Sequence, residues 1–248
     1  KQRKLKKNAT GILAEFPARC EAWRQEIQAL KTQQVLIDFW EDKKPMELFN
    51  DMMLLLDART EEYRGLFLDL KKSLVETIGK RNANDLISMM SGGSSDLTTL
   101  GPLVGLFELL NGEISCEAYV AKFGHRHANE NELSQPRSYE DPDWLQKEIA
   151  EFKQNPVDIQ DLLEKRESQF KAAWEKYAAQ SPKRFEKYGK MVDGFIEATK
   201  NREAVRGEIT RLVGVIRAFM LQSGIVLELG EEVFYLTIDE LIGVLSGD

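Results

Sequence analysis

The stretch REAVRGEITRLVGVIRAFM, residues 202–220, has the apolar spacing of an amphipathic helix. At 100° per residue its larger apolar side chains fall on one face. These are Val205, Ile209, Leu212, Val213, Ile216 and Met220. Because the free energy falls when apolar surface is removed from water, we expect this face to pack against other elements. The stretch therefore predicts a long helix that faces a hydrophobic core.

Helix start and stop signals predict further helices along the chain. Thr60 is a candidate N-cap for a helix through residue 78, and Pro45 can start a short helix before it. Ser115 can cap a helix that ends at Gly124. Three pairs with proline in the second position are typical of helix starts. They are Asp141-Pro142, Asn155-Pro156 and Ser181-Pro182.

The C-terminal region combines a β-prone segment with a helix signal. Residues 233–236, VFYL, predict a short extended segment, and Thr237 with Glu240 forms a capping-box pattern for a final helix. The fold expected from these patterns is all-α: a bundle-like multi-helix domain with one long polar loop and a short extended segment near the C-terminus. Two helical regions, 1–81 and 82–248, are distinguished within one continuous domain.

Composition limits the class of protein. The 248 residues are 42% hydrophobic and 30% charged, which is typical of a folded soluble protein. The formal net charge of -7 argues against nucleic acid as the main partner, because phosphate backbones require a basic surface. No apolar run approaches the roughly 20 residues of a membrane span, since Arg217 and Gln222 interrupt the best one. We therefore expect neither a nucleic acid nor a membrane partner.

The cysteines and the N-terminus predict where the protein resides. The two cysteines, Cys20 and Cys116, lie far apart and form no metal-binding or disulfide pattern, which favours a reducing, cytoplasmic location. The first residue is Lys, and residues 1–7, KQRKLKK, lack the apolar stretch of a signal peptide. We interpret the sequence as a piece of a longer chain.

Residues 124–140 interrupt the helical pattern. They show no apolar stripe, hold both histidines, and lie between the stop signal at Gly124 and the start signal at Asp141. A loop of this length in a compact domain is typically functional or mobile. Its charges nearly cancel, so a structural ion-pair network and a ligand site are equally consistent with the pattern. The charged residues are Arg126, Glu130, Glu132, Arg137 and Glu140.

Three kinds of site are compatible with this loop. His125 and His127 with a nearby glutamate could bind a metal, but no third distinctive ligand is apparent, and we expect none to be bound. The carboxylates could serve acid/base chemistry, although no nucleophile motif accompanies them. Arg126 and Arg137 could form an anion clamp, because guanidinium groups match phosphate oxygens.

The long helix could contribute to such a clamp. Arg202, Arg206, Thr210 and Arg217 lie in one row beside its apolar face. Gly207 and Gly214 lie next to this row and would allow another backbone to approach. The alternative is that the arginine stems flank the core while their charged heads remain in water.

The segment FGHRHANENELSQPRSYEDP, residues 123–142, resembles the string YGHRGPGEIDLSRPRWRE. That string is typical of the helical substrate-binding region of rifampicin phosphotransferase and related phosphoenolpyruvate synthase-like, PEP-utilising enzymes. His127, Asn129 and Ser138 replace the Gly, Gly and Trp of that pattern. Residues 86–106 and the two stretches at 202–217 and 231–241 resemble the same family, so that the likeness covers about residues 82–241. The positions that match the loop pattern are Gly124, His125, Arg126, Glu130, Leu133, Ser134, Pro136, Arg137 and Glu140.

The resemblance implies a function. Such enzymes combine an ATP-grasp domain, a swivelling phosphohistidine domain and a helical acceptor domain, and they split ATP to AMP, phosphate and a phosphorylated product. The chain would be the acceptor-binding part, with a small-molecule acceptor and the other two domains as its partners. ATP and Mg²⁺ would bind to the parent enzyme, with no cofactor and no catalytic residue in this region.

Two groups of residues follow from these arguments. Substrate-binding roles are expected for His125, Arg126, Glu130, Glu132, Arg137 and Arg206. Loop-shaping roles are expected for Gly92, Gly93, Gly124 and Pro136. The alternative function is a non-catalytic helical interaction module whose polar loop is a structural ion-pair network.

Overall fold

The computed structural model describes residues 1–91, 100–126, 129–155 and 158–247. Three residues named above, Gly92, Gly93 and His127, lie outside the described residues, as does Pro156 of one predicted helix start. Within the described ranges the secondary structure is helical and contains no strand, which confirms the all-α prediction.

The described residues form ten α-helices and two short 3₁₀ helices. The α-helices are α1 (Gln2–Ala29), α2 (Gln33–Lys43), α3 (Pro45–Ile78), α4 (Lys80–Ser91), α5 (Gly101–Leu110), α6 (Cys116–Phe123), α7 (Trp144–Gln154), α8 (Ile159–Gln180), α9 (Pro182–Val226) and α10 (Ile238–Ser246). The 3₁₀ helices are Ser138–Glu140 and Gly230–Tyr235.

The chain divides into two compact units, each built from separated stretches of sequence. Unit 1 comprises Lys1–Leu56, Lys122–Pro142 and Val205–Asp248, and unit 2 comprises Asp57–Ala121 and Asp143–Ala204. The division expected between residues 81 and 82 falls inside α4, which belongs wholly to unit 2. The polar loop lies in unit 1.

The core of unit 1 forms around the C-terminal half of α9. All six apolar residues predicted to face a core there are buried. Phe219 lies at the centre of an aromatic group, with its ring centroid 4.4 Å from that of Trp40 and 6.4 Å from that of Phe39. Burial of these side chains contributes about 1.5–3 kcal/mol each. This half of α9 is therefore held firmly beneath the polar loop.

Unit 2 has its own core between α3, α4, α8 and the first half of α9. Buried leucines of α3 and α4 pack with Phe195 and Tyr188 of α9. The Tyr188 hydroxyl donates a hydrogen bond to the Ser73 carbonyl at 3.1 Å, so this buried aromatic group keeps a polar partner.

Several helix boundaries differ from the sequence predictions. Thr60 lies inside α3 instead of capping a new helix, and α9 starts at Pro182 as predicted but continues without a break for 45 residues. The helix predicted to begin at Asp141-Pro142 begins at Trp144. A capping residue alone does not end a helix where no glycine or proline breaks the preceding turn and the apolar face continues.

The predicted extended segment at residues 233–236 is wrong. Its first three residues belong to a 3₁₀ helix, in which Leu236 N donates to the Val233 carbonyl at 3.2 Å. The described part of the chain contains no strand with which this segment could pair, so its backbone groups are satisfied locally. The capping box between Thr237 and Glu240 is confirmed and opens α10.

Among the described helices, α9 alone is long and apolar enough to cross a membrane by length and composition. This criterion is weak evidence, and 72% of the apolar window is buried inside the protein, as in a core helix. The two polar residues that interrupt it make internal contacts. Arg217 pairs with Glu140, and Gln222 Nε2 donates to the Leu30 carbonyl at 2.6 Å.

Candidate functional site

The two ends of the polar loop are joined by two hydrogen bonds. The loop begins at Gly124, directly after α6, and Tyr139 N donates to the Gly124 carbonyl at 3.1 Å. The Ser138 hydroxyl donates to the Arg126 carbonyl at 2.7 Å. These two bonds close the loop into a ring, so that its first and last residues keep a fixed separation. The 3₁₀ turn Ser138–Glu140 supplies both donors.

Arg137 braces the interior of this ring. Its side chain is only 1% exposed, and its Nη1 and Nη2 donate to the carbonyls of Glu130 and Glu132 at 2.9 and 3.1 Å. Burial lowers the pKa of the guanidinium, which still remains charged at neutral pH. A loop without regular structure leaves backbone carbonyls unpaired, and this side chain satisfies two of them. The Arg137 guanidinium thus binds the loop itself and is covered from solvent.

Arg217 of α9 anchors the loop through hydrogen bonds to Glu140 and Leu133. Its Nε donates to Glu140 Oε1 at 2.8 Å and its Nη2 to Glu140 Oε2 at 2.9 Å, while Nη1 donates to the Leu133 carbonyl at 2.6 Å. The side chain is 4% exposed. Such a two-pronged arginine–carboxylate pair is among the strongest charge-assisted contacts. The helical spacing predicted the position of Arg217 beside the apolar face but indicated no site role for its guanidinium.

The Glu130 carboxylate contacts two arginine side chains and one hydroxyl group. Arg126 Nη1 donates to Glu130 Oε1 at 2.8 Å, while Glu130 Oε2 lies 3.5 Å from Arg206 Nη2 and accepts from Thr210 Oγ1 at 3.3 Å. The Glu130 side chain is 16% exposed, whereas that of Arg206 is 54% exposed. We call these four residues the Glu130 cluster. It combines two cationic groups, a carboxylate and a hydroxyl at a position that solvent reaches.

Glu132 does not join this cluster through its side chain. Its Oε1 accepts from the Ser134 N–H at 2.9 Å and from the Ser134 hydroxyl at 2.8 Å. These hydrogen bonds, the backbone one first, lower the pKa of Glu132. Only its carbonyl reaches Arg137. Pro136 is exposed in the next turn of the loop.

His125 is buried in a strongly positive environment. It is 6% exposed, and its Nδ1 has no hydrogen-bond partner among the described residues. Burial first, and then the charges of Arg211, Arg126, Arg24 and Arg137, lower the pKa of His125 to about 2. The imidazole is therefore neutral at physiological pH. It contributes packing and a dipole to the site but no positive charge.

Two glycines of α9 allow the loop to approach. A Cβ on Gly207 would lie 3.3 Å from Arg126 Nη2, and a Cβ on Gly214 would lie 2.7 Å from the Tyr139 hydroxyl. The close approach predicted at these glycines is present, but loop side chains make it instead of a neighbouring backbone. The two positions are two helical turns apart, so they receive opposite ends of the loop on the same helix face.

Arg24 and Tyr139, for which the sequence predicted no site role, contact each other next to the loop. Tyr139 lies in the loop at a position where the family pattern has arginine, and its ring is covered by Arg24 of α1, whose Cζ is 3.8 Å from the ring centroid. Glu21, one turn earlier on α1, pairs with Arg24. Residues 1–81 carried no recognised motif, so only the fold brings α1 to the loop.

The described residues contain no group of three or more His, Cys, Asp or Glu side chains placed to hold a metal ion. The side chains of the Glu130 cluster are two guanidinium groups, a carboxylate and a hydroxyl. These groups bind anions and orient hydroxyls. In comparisons with known proteins, no family model, no curated protein and no solved structure matches the chain.

Proposed function

We propose that the chain is the substrate-binding helical region of a cytoplasmic, ATP-dependent phosphotransferase that works through a phosphohistidine, of the phosphoenolpyruvate synthase or rifampicin phosphotransferase type. The observation that carries this proposal is the Glu130 cluster, in which the half-exposed guanidinium of Arg206 on α9 lies beside a loop that Arg137 braces from inside. ATP and Mg²⁺ would bind to other domains of the parent enzyme. A phosphohistidine of the parent enzyme would then transfer its phosphoryl group to the acceptor that is bound by this chain.

Pre-organisation supports a binding role. A ligand that meets groups already held in place avoids the cost of ordering them, about 0.5–1.5 kcal/mol per side chain. Glu130 orients Arg126 and Arg206, while Arg137 fixes the backbone from which Glu130 projects. An anionic acceptor or a transferred phosphoryl group would thus meet two oriented guanidinium groups.

The contacts also support the sequence resemblance. Five residues at matching positions make the internal contacts of the ring: Gly124, Arg126, Glu130, Arg137 and Glu140. In this proposal Arg126 and Arg206 orient the ligand, and Glu130 positions them or accepts a proton from an acceptor hydroxyl.

Anion binding at Arg206 provides the first test. We expect the chain to bind inorganic phosphate or phosphoenolpyruvate in a calorimetric titration, and Arg206→Gln to weaken that affinity about tenfold, the loss of one charged hydrogen bond. Arg64→Gln is the matched control, because Arg64 is 65% exposed and pairs with Glu61 at 2.9 Å on α3. Absence of binding, or an equal loss in both variants, would overturn the proposal.

The phosphotransfer part requires the longest form of the protein that contains this chain. After incubation with ATP labelled at the β-phosphate, we expect acid-labile label on a histidine of another domain. Addition of the acceptor should discharge this label. A folded protein that acquires no label would contradict this class of reaction.

One observation favours a second function, a non-catalytic interaction module. Arg137 and Arg217 are both buried and bind the loop itself, as expected of a structural ion-pair network. In that case neither phosphate nor phosphoenolpyruvate would bind to the chain. Arg206→Gln would then leave every binding measurement unchanged.

A further inference from the structure

We infer that Arg24, on helix α1, is a positioning residue for the ligand site at the Glu130 cluster, acting through Tyr139. This inference rests on the proposed function, because it concerns the affinity of the same site. It extends that site to the N-terminal helix, which the sequence resemblance does not reach.

The first link is the contact between Arg24 and Tyr139. The Cζ of the Arg24 guanidinium lies over the Tyr139 ring, 3.8 Å from its centroid, which is a close cation–π contact. The Arg24 side chain is 21% exposed and is also held by Glu21. Burial tends to lower the pKa of Arg24, but Tyr139 and Glu21 more than offset it, so that the pKa is raised. The Arg24 guanidinium therefore stays protonated beside the Tyr139 ring.

The second link runs from Tyr139 into the loop. The hydroxyl end of the ring is confined by α9, because a Cβ on Gly214 would lie only 2.7 Å from the Tyr139 hydroxyl. Arg24 and Gly214 together determine where the ring can lie. The backbone of the same residue donates to the Gly124 carbonyl. Movement of the ring would therefore shift the bond that closes the loop.

The third link reaches the ligand groups. Ser138, which precedes Tyr139, holds the Arg126 carbonyl at 2.7 Å, and the Arg126 guanidinium contacts Glu130. Glu140, which follows Tyr139, is paired with Arg217. Displacing Tyr139 while Arg217 still anchors Glu140 would mainly affect the Arg126 side of the ring. We expect the Glu130 cluster to lose alignment without general unfolding.

The test compares substitutions at Arg24 with one on the same helix. We expect Arg24→Gln to weaken phosphate affinity about three- to tenfold, as loss of a cation–π contact implies. Arg24→Lys, which retains the cation, should recover most of it. Arg19→Gln is the control, because Arg19 also lies on α1 and pairs only with Glu15 at 3.4 Å among the described contacts. Its phosphate affinity should equal that of the wild type.

A double-mutant cycle identifies the route. If Arg24 acts through Tyr139, Arg24→Gln and Tyr139→Leu together should weaken phosphate affinity no more than Tyr139→Leu alone. Hydrogen exchange should accelerate at the Tyr139 and Arg126 amides in Arg24→Gln, with the melting temperature nearly unchanged. Additive losses, or equal affinity of Arg24→Gln and wild type, would overturn the inference.

The outcomes separate the two proposals. If the wild-type chain binds phosphate and Arg24→Gln binds it equally well, only the inference fails. If neither the wild-type chain nor Arg206→Gln binds phosphate, the proposed function fails, and the inference fails with it. Should Arg24→Gln fail to fold, Arg24→Lys and Tyr139→Leu still test the same contact.

Discussion

Gly214 is the position at which a single methyl group should disturb the docking of the loop. A Cβ there would lie 2.7 Å from the Tyr139 hydroxyl and 3.7 Å from the Tyr139 Cζ, and the ring is also covered by Arg24, whose Cζ lies 3.8 Å from its centroid. We expect Gly214→Ala to lower the free energy of unfolding by about 1–3 kcal/mol, the cost of overpacking. Urea denaturation followed by circular dichroism measures this change.

The same helix offers a control for that substitution. Gly189 also lies in α9, and a Cβ there would meet nothing within 4 Å. Gly189→Ala should raise the free energy of unfolding by about 0.5–1 kcal/mol, because alanine loses less backbone entropy in a helix. Combining Gly214→Ala with Tyr139→Phe removes the clashing hydroxyl and should restore part of the loss. Equal effects at both glycines would contradict the predicted contact.

His125 should make stability depend on pH below neutrality. Burial and the charges of Arg211 and Arg126 lower its pKa in the folded protein to about 2, whereas an unfolded histidine has a pKa near 6.5. The unfolded chain therefore takes up the proton first as the pH falls. The stabilisation is fully present above about pH 6.5 and is lost progressively towards pH 2, at up to about 1.4 kcal/mol per pH unit.

The measurement is the free energy of unfolding of wild type and His125→Gln at pH 7, 6 and 5. The difference in the free energy of unfolding between wild type and His125→Gln should become smaller as the pH falls. Glu208, whose pKa burial raises, shifts stability in the opposite direction, but it is present in both proteins and cancels in the difference. A difference that stays constant between pH 7 and 5 would show that His125 titrates normally.

At the scale of elements, the N-caps formed by Thr237 and Thr32 differ in strength. Thr237 forms a full box, with its Oγ1 accepting from Glu240 N at 3.3 Å and its N–H donating to Glu240 Oε2 at 2.7 Å. Thr32, the N-cap of α2, makes one longer contact of 3.5 Å to Val35 N. Local sequence specifies both starts, because a cap involves only residues within one turn.

We expect Thr237→Ala to lower the free energy of unfolding by about 1 kcal/mol. Thr32→Ala should cost less, since its single long contact satisfies one donor weakly. Chemical denaturation of the two variants under identical conditions provides the comparison. A larger loss at Thr32 would mean that these distances do not reflect the strength of the caps.

The ends of the long helices show where local signals are insufficient. Thr60 looks like an N-cap in sequence, yet α3 runs through it from Pro45 to Ile78. The helix predicted to start at Ser181-Pro182 and the helix predicted over residues 202–220 are parts of one helix, α9. Each apolar face continues past the apparent start signal, and burial of that face outweighs the modest preference of one residue for a cap.

At the scale of the whole molecule, the two units interleave in sequence. Unit 1 combines three separated segments and unit 2 combines two, so α3 and α9 each contribute to both. Each unit has its own buried apolar cluster, built around Phe219 in unit 1 and Phe195 in unit 2. Composition and periodicity carry no information on which distant segments share a core, and a division into consecutive ranges cannot describe this arrangement.

The sequence by itself determined the helical class, the buried face of α9, the start of α6 at Ser115, the beginning of the loop at Gly124 and the capping box of α10. Each of these depends on residues within about four positions of one another, where spacing and backbone preference act directly. It also predicted Arg126, Glu130 and Arg206 as members of one site, because they lie in the polar loop and in the row beside the apolar face of the long helix.

Only the tertiary structure decided how the charges of the loop are used. Arg217 and Glu140 are 77 positions apart, and nothing local distinguishes their pairing from other arginine–glutamate combinations. Arg137 binds carbonyl groups in the loop interior, and Arg24 reaches Tyr139 from α1. These partners pair because the fold brings remote segments close together and buries them. That proximity and that burial depend on the fold of the whole unit.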